Sequence, residues 1–349
     1  MATAIGVVSG VITIFSFFND MFPAPENPSA KFAFKVGLDG AGDPPLSNAG
    51  GEKPDIRCWN EQGGFLGIEV NDGNSCENGA DLCESTVSNV VQQPTYTLFT
   101  GNDDAICLAW ASVTFPGGQK YATTIGNWAQ SCDDAYGNGG NWYYSDIYVP
   151  RESGGDETVF CAWVDKNGDV GTTGIQLHWP EYASENGAND LAYYCNNDPP
   201  LRFTTESDPS DVIFWTRRRN IFSRDPSVSA ASSSTATDKQ QRQVVDEQHD
   251  RLAQRFSKDT RLVKSKLPAH TASGLCGGGK SVGPSFVSYE ERQFCYMPTK
   301  TIYPFCDDIE GGACWSEEEN KVVAKGNAGA RIGDVPDMSF DNVLLWGDK

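Results

Sequence analysis

The chain has 349 residues, of which 39% are hydrophobic, and a formal net charge of −20 at pH 7. The hydrophobic fraction excludes a wholly disordered chain, and the negative charge repels nucleic acid and anionic membranes. The length allows about two domains. The 36 glycines and 19 prolines favour short strands joined by turns over long helices.

The first 30 residues form an apolar N-terminal segment, and residues 4–18 carry no charge. Their length suits the core of a signal peptide and is short for spanning a bilayer. Small residues at Ala2, Gly6 and Gly10 recur every four positions, a pattern that lets apolar helices pack closely. The segment is therefore predicted to be a signal peptide or, alternatively, a retained apolar helix.

Residues 31–216 have the pattern of short strands separated by turns. The stretch KFAFKVGL, which starts at Lys31, alternates apolar and polar residues with the period of a half-buried strand. Later stretches such as PTYTLFT and AICLAWASVTF are bounded by Gly, Asn, Asp or Pro, and Asn167-Gly168 is a favoured hairpin dipeptide. No helical period separates these stretches. The prediction is a mainly β fold, with an antiparallel β-sandwich or jelly-roll-like domain.

A basic linker is predicted over residues 217–267. Residues 217–266 hold 12 Lys or Arg and 6 Asp or Glu, a local balance of +6 in an otherwise acidic chain. Ser and Thr dominate residues 227–237, and helix-forming residues at 238–258 predict one short helix. Three consecutive arginines follow the last predicted strand of the domain, where the chain is exposed and open to proteases. We therefore hypothesise proteolytic cleavage near Arg219 or, alternatively, an uncut solvated linker. The candidate processing residues are Arg217, Arg218 and Arg219.

Residues 268–349 are predicted to form a small cysteine-containing module, which needs disulfides or docking on the first domain for stability. The chain has 11 cysteines, no CxxC pair and only 3 widely spaced histidines. This composition favours disulfides in an oxidising compartment over zinc sites. The disulfide candidates are Cys76, Cys83, Cys107, Cys132, Cys161, Cys195, Cys276, Cys295, Cys306 and Cys314.

Two groups of side chains are candidate binding residues. The first is a set of aromatic rings whose burial in the core by strand alternation is the preferred interpretation, with stacking on sugars as the alternative. These rings are Trp128, Trp142, Tyr143, Tyr144 and Tyr148. In the second group, Asp165, Asn167 and Asp169 place oxygen atoms at alternate positions, as calcium loops do. Val170 and Gln176 occupy the positions where an EF-hand needs glycine and an acid, so either a calcium-binding turn or a plain Asn-Gly turn is expected.

Signals for catalysis are weak. The histidine at His178 is followed three residues later by Glu181, but a histidine in a strand is more often packed or hydrogen-bonded than catalytic. No GxSxG, HExxH, P-loop or dinucleotide motif occurs. Catalytic residues are therefore left unassigned, and no cofactor other than calcium is expected.

Several blocks of the chain resemble a family of uncharacterised, secreted-type, cysteine-containing proteins of filamentous fungi. The blocks are LSNAGGEKPDIRCWNEQGGFLGI, QQPTYTLFTGNDDAICLAW, CAWVDKNGDVGTTGIQLHWPEY and SFVSYEERQFCYMPTKTIYPFC, within residues 31–315. The resemblance implies a fungal source and secretory handling, and it assigns no activity or catalytic residue. The sequence departs from the family at Cys58, where an apolar or aromatic residue is expected. Cys58 is therefore the candidate for the unpaired thiol.

Three functions are compatible with these features. The first is a secreted, non-enzymatic binding or effector-type protein at a cell wall or host surface, with carbohydrate or a surface protein as partner. The second is an extracellular polysaccharide hydrolase, which would need an acidic groove. The third is a membrane-acting toxin or cell-death protein that uses residues 4–18. The first is preferred, with an extracellular location, and membrane contact is expected only if the N-terminal segment is retained.

Overall fold

The computed structural model describes residues 5–8, 11–14, 28–38, 49–78, 82–150, 156–167, 170–183, 191–196, 200–214, 259–326 and 335–347. Its fold is mainly β, which confirms the predicted class. Two antiparallel sheets form a sandwich in the first part of the chain, and a third sheet follows near the C-terminus. The predicted short helix at 238–258 and the three arginines lie outside the described residues.

The first sheet has the strand order β12-β13-β10-β3-β8, with β11 also paired to β10, and every pairing is antiparallel. All nine residues of its central strand, β10, are buried, as expected for a strand covered on both faces. The strands are β3 (Ser29–Val36), β8 (Cys83–Ser88), β10 (Ile106–Thr114), β11 (Lys120–Thr124), β12 (Trp142–Pro150) and β13 (Asp156–Val164).

The second sheet has the antiparallel order β15-β14-β9-β5-β6. Its inner face packs on the first sheet, where the ring of Phe99 meets Phe34 at 5.0 Å and Phe32 at 5.9 Å between centroids. This edge-to-face packing at the centre joins the two layers. The strands are β5 (Asp55–Trp59), β6 (Phe65–Glu69), β9 (Tyr96–Thr100), β14 (Gly174–His178) and β15 (Leu201–Thr204), and β4 (Gly51–Glu52) pairs with β7 (Ser75–Cys76) beside the sandwich.

Helix α1 (Gly126–Tyr136) connects β11 to β12, in a region where no helix was expected. It buries Trp128 and Ala129 and ends at Gly137, whose φ of 67° continues the chain in the left-handed conformation that glycine adopts readily. The helix lacks a side-chain cap and has no acid in its first turn. Its stability therefore comes from packing and from the Cys132–Cys195 disulfide to α2 (Leu191–Cys195), which local sequence signals do not reveal.

The C-terminal sheet has the order β19-β18-β17-β16-β22 and is of mixed direction, since β16 runs parallel to both β17 and β22. Strand β16 lies inside the range predicted to be linker. The prediction missed it because the buried Leu262 and Val263 are flanked by basic residues, which dominate the local composition. The elements are β16 (Arg261–Ser265), α3 (Ala272–Gly277), β17 (Ser285–Ser288), β18 (Gln293–Tyr296), β19 (Thr301–Pro304), β20 (Gly312–Ser316), β21 (Lys321–Lys325) and β22 (Asn342–Trp346).

The C-terminal region docks on the edge strand β12 of the sandwich. The backbone N–H of Trp142 donates to the Lys280 carbonyl at 3.1 Å, and the N–H of Val282 donates to the Trp142 carbonyl at 2.8 Å. A Cβ added to Gly283 would lie 2.4 Å from the Tyr143 ring, so this close approach requires glycine. One buried apolar cluster runs through both regions. The two regions therefore share a core.

Five disulfides use all ten predicted cysteines, which confirms that the chain is disulfide-bonded. Cys58 is left as a buried free thiol, and its burial raises its pKa to about 12 despite a hydrogen bond with Thr97. Each disulfide lies within one region, either before residue 215 or after residue 258. The pairs are Cys76–Cys83, Cys107–Cys161, Cys132–Cys195, Cys276–Cys295 and Cys306–Cys314.

The predicted alternative of an apolar N-terminal helix is wrong for the residues that the structure describes. The backbone forms an antiparallel hairpin of β1 (Ile5–Val8) and β2 (Val11–Ile14), with Ile5 opposite Ile14. Seven of these eight residues are Val, Ile or Thr, whose branching at Cβ favours extended backbone. Among the helices within the described ranges, none is long and apolar enough to cross a membrane.

Candidate functional site

The candidate site lies at one end of the second sheet, on the face turned away from the first sheet. Strand pairing sets Trp59 opposite Tyr96, and Tyr96 opposite His178. Because side chains alternate along each strand, these three rings form a row on the outer face. The Tyr96 and His178 rings pack at 4.3 Å between centroids. This row positions the imidazole at the end of β14.

His178 lies between two carboxylates. Its Nε2 is 2.8 Å from Oε2 of Glu61, and its Nδ1 is 3.4 Å from Oε1 of Glu181. The histidine side chain is 3% exposed, compared with 12% for Glu181 and 44% for Glu61. One acid is therefore nearly buried with the ring, and the other reaches the surface.

Local structure fixes both acids. Glu61 lies in the tight turn between β5 and β6, where Oδ1 of Asn60 accepts the backbone N–H groups of Gln62 at 3.1 Å and Gly64 at 2.7 Å. Glu181 lies in the 3-10 helix Trp179–Tyr182, which directly follows β14, and it accepts a hydrogen bond from the Tyr193 hydroxyl at 2.5 Å. Neither carboxylate depends on a long flexible loop for its position.

The two acids decide the charge of the imidazole. Burial by itself lowers the pKa of His178, but the hydrogen bonds and negative charges of Glu181 and Glu61 outweigh burial and raise that pKa above its ordinary value. The protonated ring can donate one N–H to each carboxylate. His178 therefore keeps its proton to a higher pH than an ordinary imidazole, and when protonated it is the cation of an ion-pair cluster with Glu61 and Glu181.

Glu61 also lines an open cleft of about 460 Å³. The cleft lies between the β5–β6 turn, the chain leading into β9 and the β10–β11 turn. Among the described residues that line it, Glu61 is the only charged side chain, and Val91 and Pro116 supply apolar surface. Its main chemistry is that of amides, which line the cleft at Asn60, Gln62, Gln92, Gln93 and Gln119.

Thr95 is the buried polar residue of this cleft. The residue is 6% exposed, and its hydroxyl finds no hydrogen-bond partner anywhere in the described part of the chain. Its backbone carbonyl accepts from the N–H of Trp179, which ties the cleft to the segment carrying Glu181. An unpaired buried hydroxyl is uncommon and calls for a partner.

A short segment after β15, residues 209–214, crosses the outer face beside this row of rings. The side-chain amide of Gln176 both donates to the Ile213 carbonyl at 2.7 Å and accepts from the Ile213 N–H at 2.9 Å. Phe214 packs edge-on against Tyr96 at 5.1 Å between centroids. The segment covers the apolar part of the outer face and leaves the Glu61 side of the row open.

The aromatic rings proposed as ligand-stacking residues are mostly core. Trp128, Trp142 and Tyr143 are fully buried, Tyr144 is 3% exposed, and Tyr148 is half-buried. Trp128 lies on α1, where its indole N–H donates to Thr123, and the others lie on β12. The three buried rings of β12 have no face open to a sugar, because α1 and the C-terminal region cover this strand, and Trp128 is buried on α1 itself. Core packing, the preferred interpretation of these rings, accounts for them.

The predicted calcium-binding residues that the structure describes differ in their exposure to solvent. Asp165 is fully buried, whereas Asn167 is exposed and donates to the Asp103 carbonyl at 3.3 Å. Asp169 lies outside the described residues, as do the candidate processing residues Arg217, Arg218 and Arg219. Within the described ranges, no group of three or more His, Cys, Asp or Glu side chains is arranged to hold a metal ion.

Sequence reasoning singled out His178 and Glu181 but missed Glu61, Thr95 and the amide side chains. The first pair is visible as HxxE around a strand end, whereas Glu61 lies 117 residues from His178 along the chain. Comparison with known proteins adds nothing to the assignment, since no family model and no curated protein matches this chain. The five disulfides are consistent with an extracellular protein.

Proposed function

We propose that this is a secreted, non-enzymatic binding protein of a filamentous fungus that acts at a cell wall or host surface. Its binding site is the cleft lined by Glu61, Thr95 and the amide side chains, which we call the Glu61–Thr95 cleft. The observation that supports it best is the chemistry of the cleft, where several amides surround a single carboxylate. Amide side chains bind ligands through hydrogen bonds and supply neither a nucleophile nor a strong acid. The disulfides suit the extracellular location that such a role requires.

The arrangement of acids favours binding over hydrolysis. Most glycosidases need two carboxyl groups flanking one scissile bond, either about 5–5.5 Å or about 6.5–9.5 Å apart. Here Glu61 lines the cleft while Glu181 lies on the other side of the imidazole, paired with His178 and Tyr193. Only one of the two acids can face a ligand in this cleft, so a hydrolase remains the second choice.

The proposal is tested by co-sedimentation of the purified protein with insoluble cell-wall polysaccharide and with host cell surfaces. We expect the wild type to be retained and Gln93→Ala to be retained several-fold less, because the substitution removes an amide from the cleft. Gln130→Ala on helix α1 is the matched control, since it removes a surface amide elsewhere. Equal retention of Gln93→Ala and the wild type, or no retention of the wild type, would contradict the proposal.

The same samples separate binding from hydrolysis. Reducing ends released from the polysaccharide are measured for the wild type and for Glu61→Gln. The binding proposal expects no release by either protein. Steady release by the wild type that Glu61→Gln abolishes would establish the hydrolase in its place.

A further inference from the structure

We infer that the Glu61–Thr95 cleft takes a neutral polyhydroxylated ligand, a stretch of glycan chain, with the Thr95 hydroxyl as its innermost hydrogen-bonding partner. The inference rests on the proposed function and names the class of ligand. Three features of the described residues carry it: the charge of the cleft, the state of its amides and the unpaired hydroxyl.

The charge of the cleft disfavours anions. Its lining within the described ranges has no lysine, arginine or histidine, and the whole chain carries a net charge of −20. Phosphates, sulfates and uronic acids would meet the Glu61 carboxylate, and the lining has no basic side chain to offset the repulsion. The neighbouring His178 is buried and already paired with two carboxylates. Ligands of this class are therefore poorly suited to the cleft.

The cleft is also a weak site for cations. The Glu61 carboxylate is already bonded to the His178 imidazole at 2.8 Å. A ligand ammonium would have to share that carboxylate with the histidine and would gain correspondingly less. Glu61 can still accept a hydrogen bond from a neutral hydroxyl, since its contact with His178 occupies only part of the acceptor capacity of a carboxylate. Since neither anionic nor cationic ligands suit the cleft, a neutral ligand is the class that fits it best.

The amides present both donors and acceptors, which is what sugar hydroxyl groups need. Asn60 is committed to the fold, because its Oδ1 accepts two backbone N–H groups and its Nδ2 donates to Oε1 of Gln92 at 2.7 Å. The side chains of Gln62, Gln93 and Gln119 make no hydrogen bond with the rest of the described chain. Asn60 thus fixes the β5–β6 turn and the side chain of Gln92, whereas the amides of Gln62, Gln93 and Gln119 are available to a ligand.

The Thr95 hydroxyl is the group that gains most from ligand binding, because a ligand would give this buried hydroxyl the hydrogen bond it lacks. It is buried and unpaired, and a ligand hydroxyl that reaches it can both donate and accept. Val91, which is 72% exposed, places apolar surface beside the amides. The C–H face of a pyranose ring can pack on such a surface while its hydroxyls bond to the amides.

The test is isothermal titration calorimetry of the full chain with soluble oligosaccharides of three charges: neutral glucan and N-acetylated chitin oligomers, anionic oligogalacturonate, and cationic chitosan oligomers. We expect binding of a neutral oligomer with the lowest Kd. Thr95→Val keeps the shape and removes the hydroxyl, and it should raise that Kd by about tenfold or more, which corresponds to about 1.4 kcal/mol. Thr299→Val, on an exposed turn of the C-terminal region, is the matched control and should leave the Kd unchanged.

Folding does not confuse the result, because removing an unpaired buried hydroxyl should leave the Tm of Thr95→Val equal to or above that of the wild type. Tighter binding of the anionic or cationic oligomer would overturn the ligand class. So would failure of every soluble neutral oligomer while cell-wall retention stays sensitive to Gln93→Ala, an outcome that leaves the proposed function standing. An unchanged Kd for Thr95→Val would remove Thr95 from the site.

Discussion

The surroundings of His178 and His270 differ in almost every respect, and the two imidazoles have opposite charge behaviour as a result. His178 lies at the end of a strand between two carboxylates, which raise its pKa. His270 lies in the shared core of the two regions, where burial lowers its pKa to about 3. The pKa of the same side chain is raised beside the cleft and lowered in the core, because only one location supplies carboxylates to offset desolvation.

The neutral histidine belongs to an aromatic cluster that joins the two regions. Its ring stacks on Tyr144 of β12 at 4.5 Å between centroids and meets Trp346 of β22 at 5.5 Å. Nδ1 is 3.0 Å from the hydroxyl of Ser265, and Nε2 has no partner in the described chain. Ser265 is also fully buried, so this serine–histidine pair is closed to any substrate. Its role is packing.

The largest expected effect comes from removing the core ring. His270→Ala leaves a cavity between Tyr144 and Trp346 and should lower the free energy of unfolding by about 3 kcal/mol or more. His270→Phe keeps an aromatic ring of similar shape and should cost less than about 1.5 kcal/mol. Denaturant titration measures both. Equal losses for the two variants would show that packing is not what His270 contributes.

The next effect concerns the ion pairs of His178. Glu181→Gln removes a largely buried charged partner and should lower the free energy of unfolding by about 1.5 to 3 kcal/mol. Glu61→Gln should cost below about 1 kcal/mol, since that side chain is 44% exposed and solvent screens its charge. Both should lower the His178 pKa, measured by NMR titration of the ring. A pKa unchanged in both variants would break the contrast with His270.

The pH dependence of stability should have opposite signs for the two histidines. The His178 pKa is raised in the fold, so its contribution is present below the ordinary value of 6.5 and is lost as pH rises through the raised pKa. The His270 pKa is lowered, so its contribution is present above 6.5 and is lost as pH falls towards about 3. Denaturant titrations from acidic to alkaline pH measure these slopes.

Two variants isolate the contributions. His178→Gln should lose stability relative to the wild type mainly on the acidic side of this range. His270→Phe should lack the decline that the wild type shows as pH falls below 6.5, because phenylalanine takes up no proton. Parallel pH profiles for the wild type and both variants would mean that neither ring titrates as its surroundings require.

The smallest expected change follows cleavage of the chain between the two regions, which models the hypothesised processing near Arg219. A protease site placed between residues 225 and 240 is cut in the folded protein, and the product is analysed by size exclusion without denaturant. No disulfide joins residues 28–214 to residues 259–347, but β12 and the segment around Val282 share hydrogen bonds and a core. We therefore expect the pieces to elute together.

Gly283→Val is the control for this cleavage experiment, because its side chain would collide with the Tyr143 ring. The cut variant should separate into two pieces, whereas the cut protein without the substitution should not. Separation of both would show that the aromatic junction around His270 does not hold the regions together.

Local patterns accounted for much of the fold. Alternation in KFAFKVGL predicted the strand that became β3, and the even–odd arithmetic of the cysteines left one thiol unpaired, which is Cys58. Helix α1 escaped prediction because it has no cap and is held by packing and by a disulfide to a distant helix. The small-residue spacing behind the N-terminal helix alternative says nothing about backbone preference, whereas the β-branched residues of Ile5–Val8 and Val11–Ile14 favour the extended backbone found there.

The amino-acid sequence by itself determined the fold class, the disulfide chemistry and the HxxE pair, since each depends on residue type and short spacing. Only the tertiary structure decided which side chains face a ligand. Strand pairing across 117 residues brought Glu61 to His178, and docking of the C-terminal region buried the rings of β12. The physical reason is that exposure and charge depend on neighbours supplied by distant segments, and those neighbours exist only after the sheets have packed.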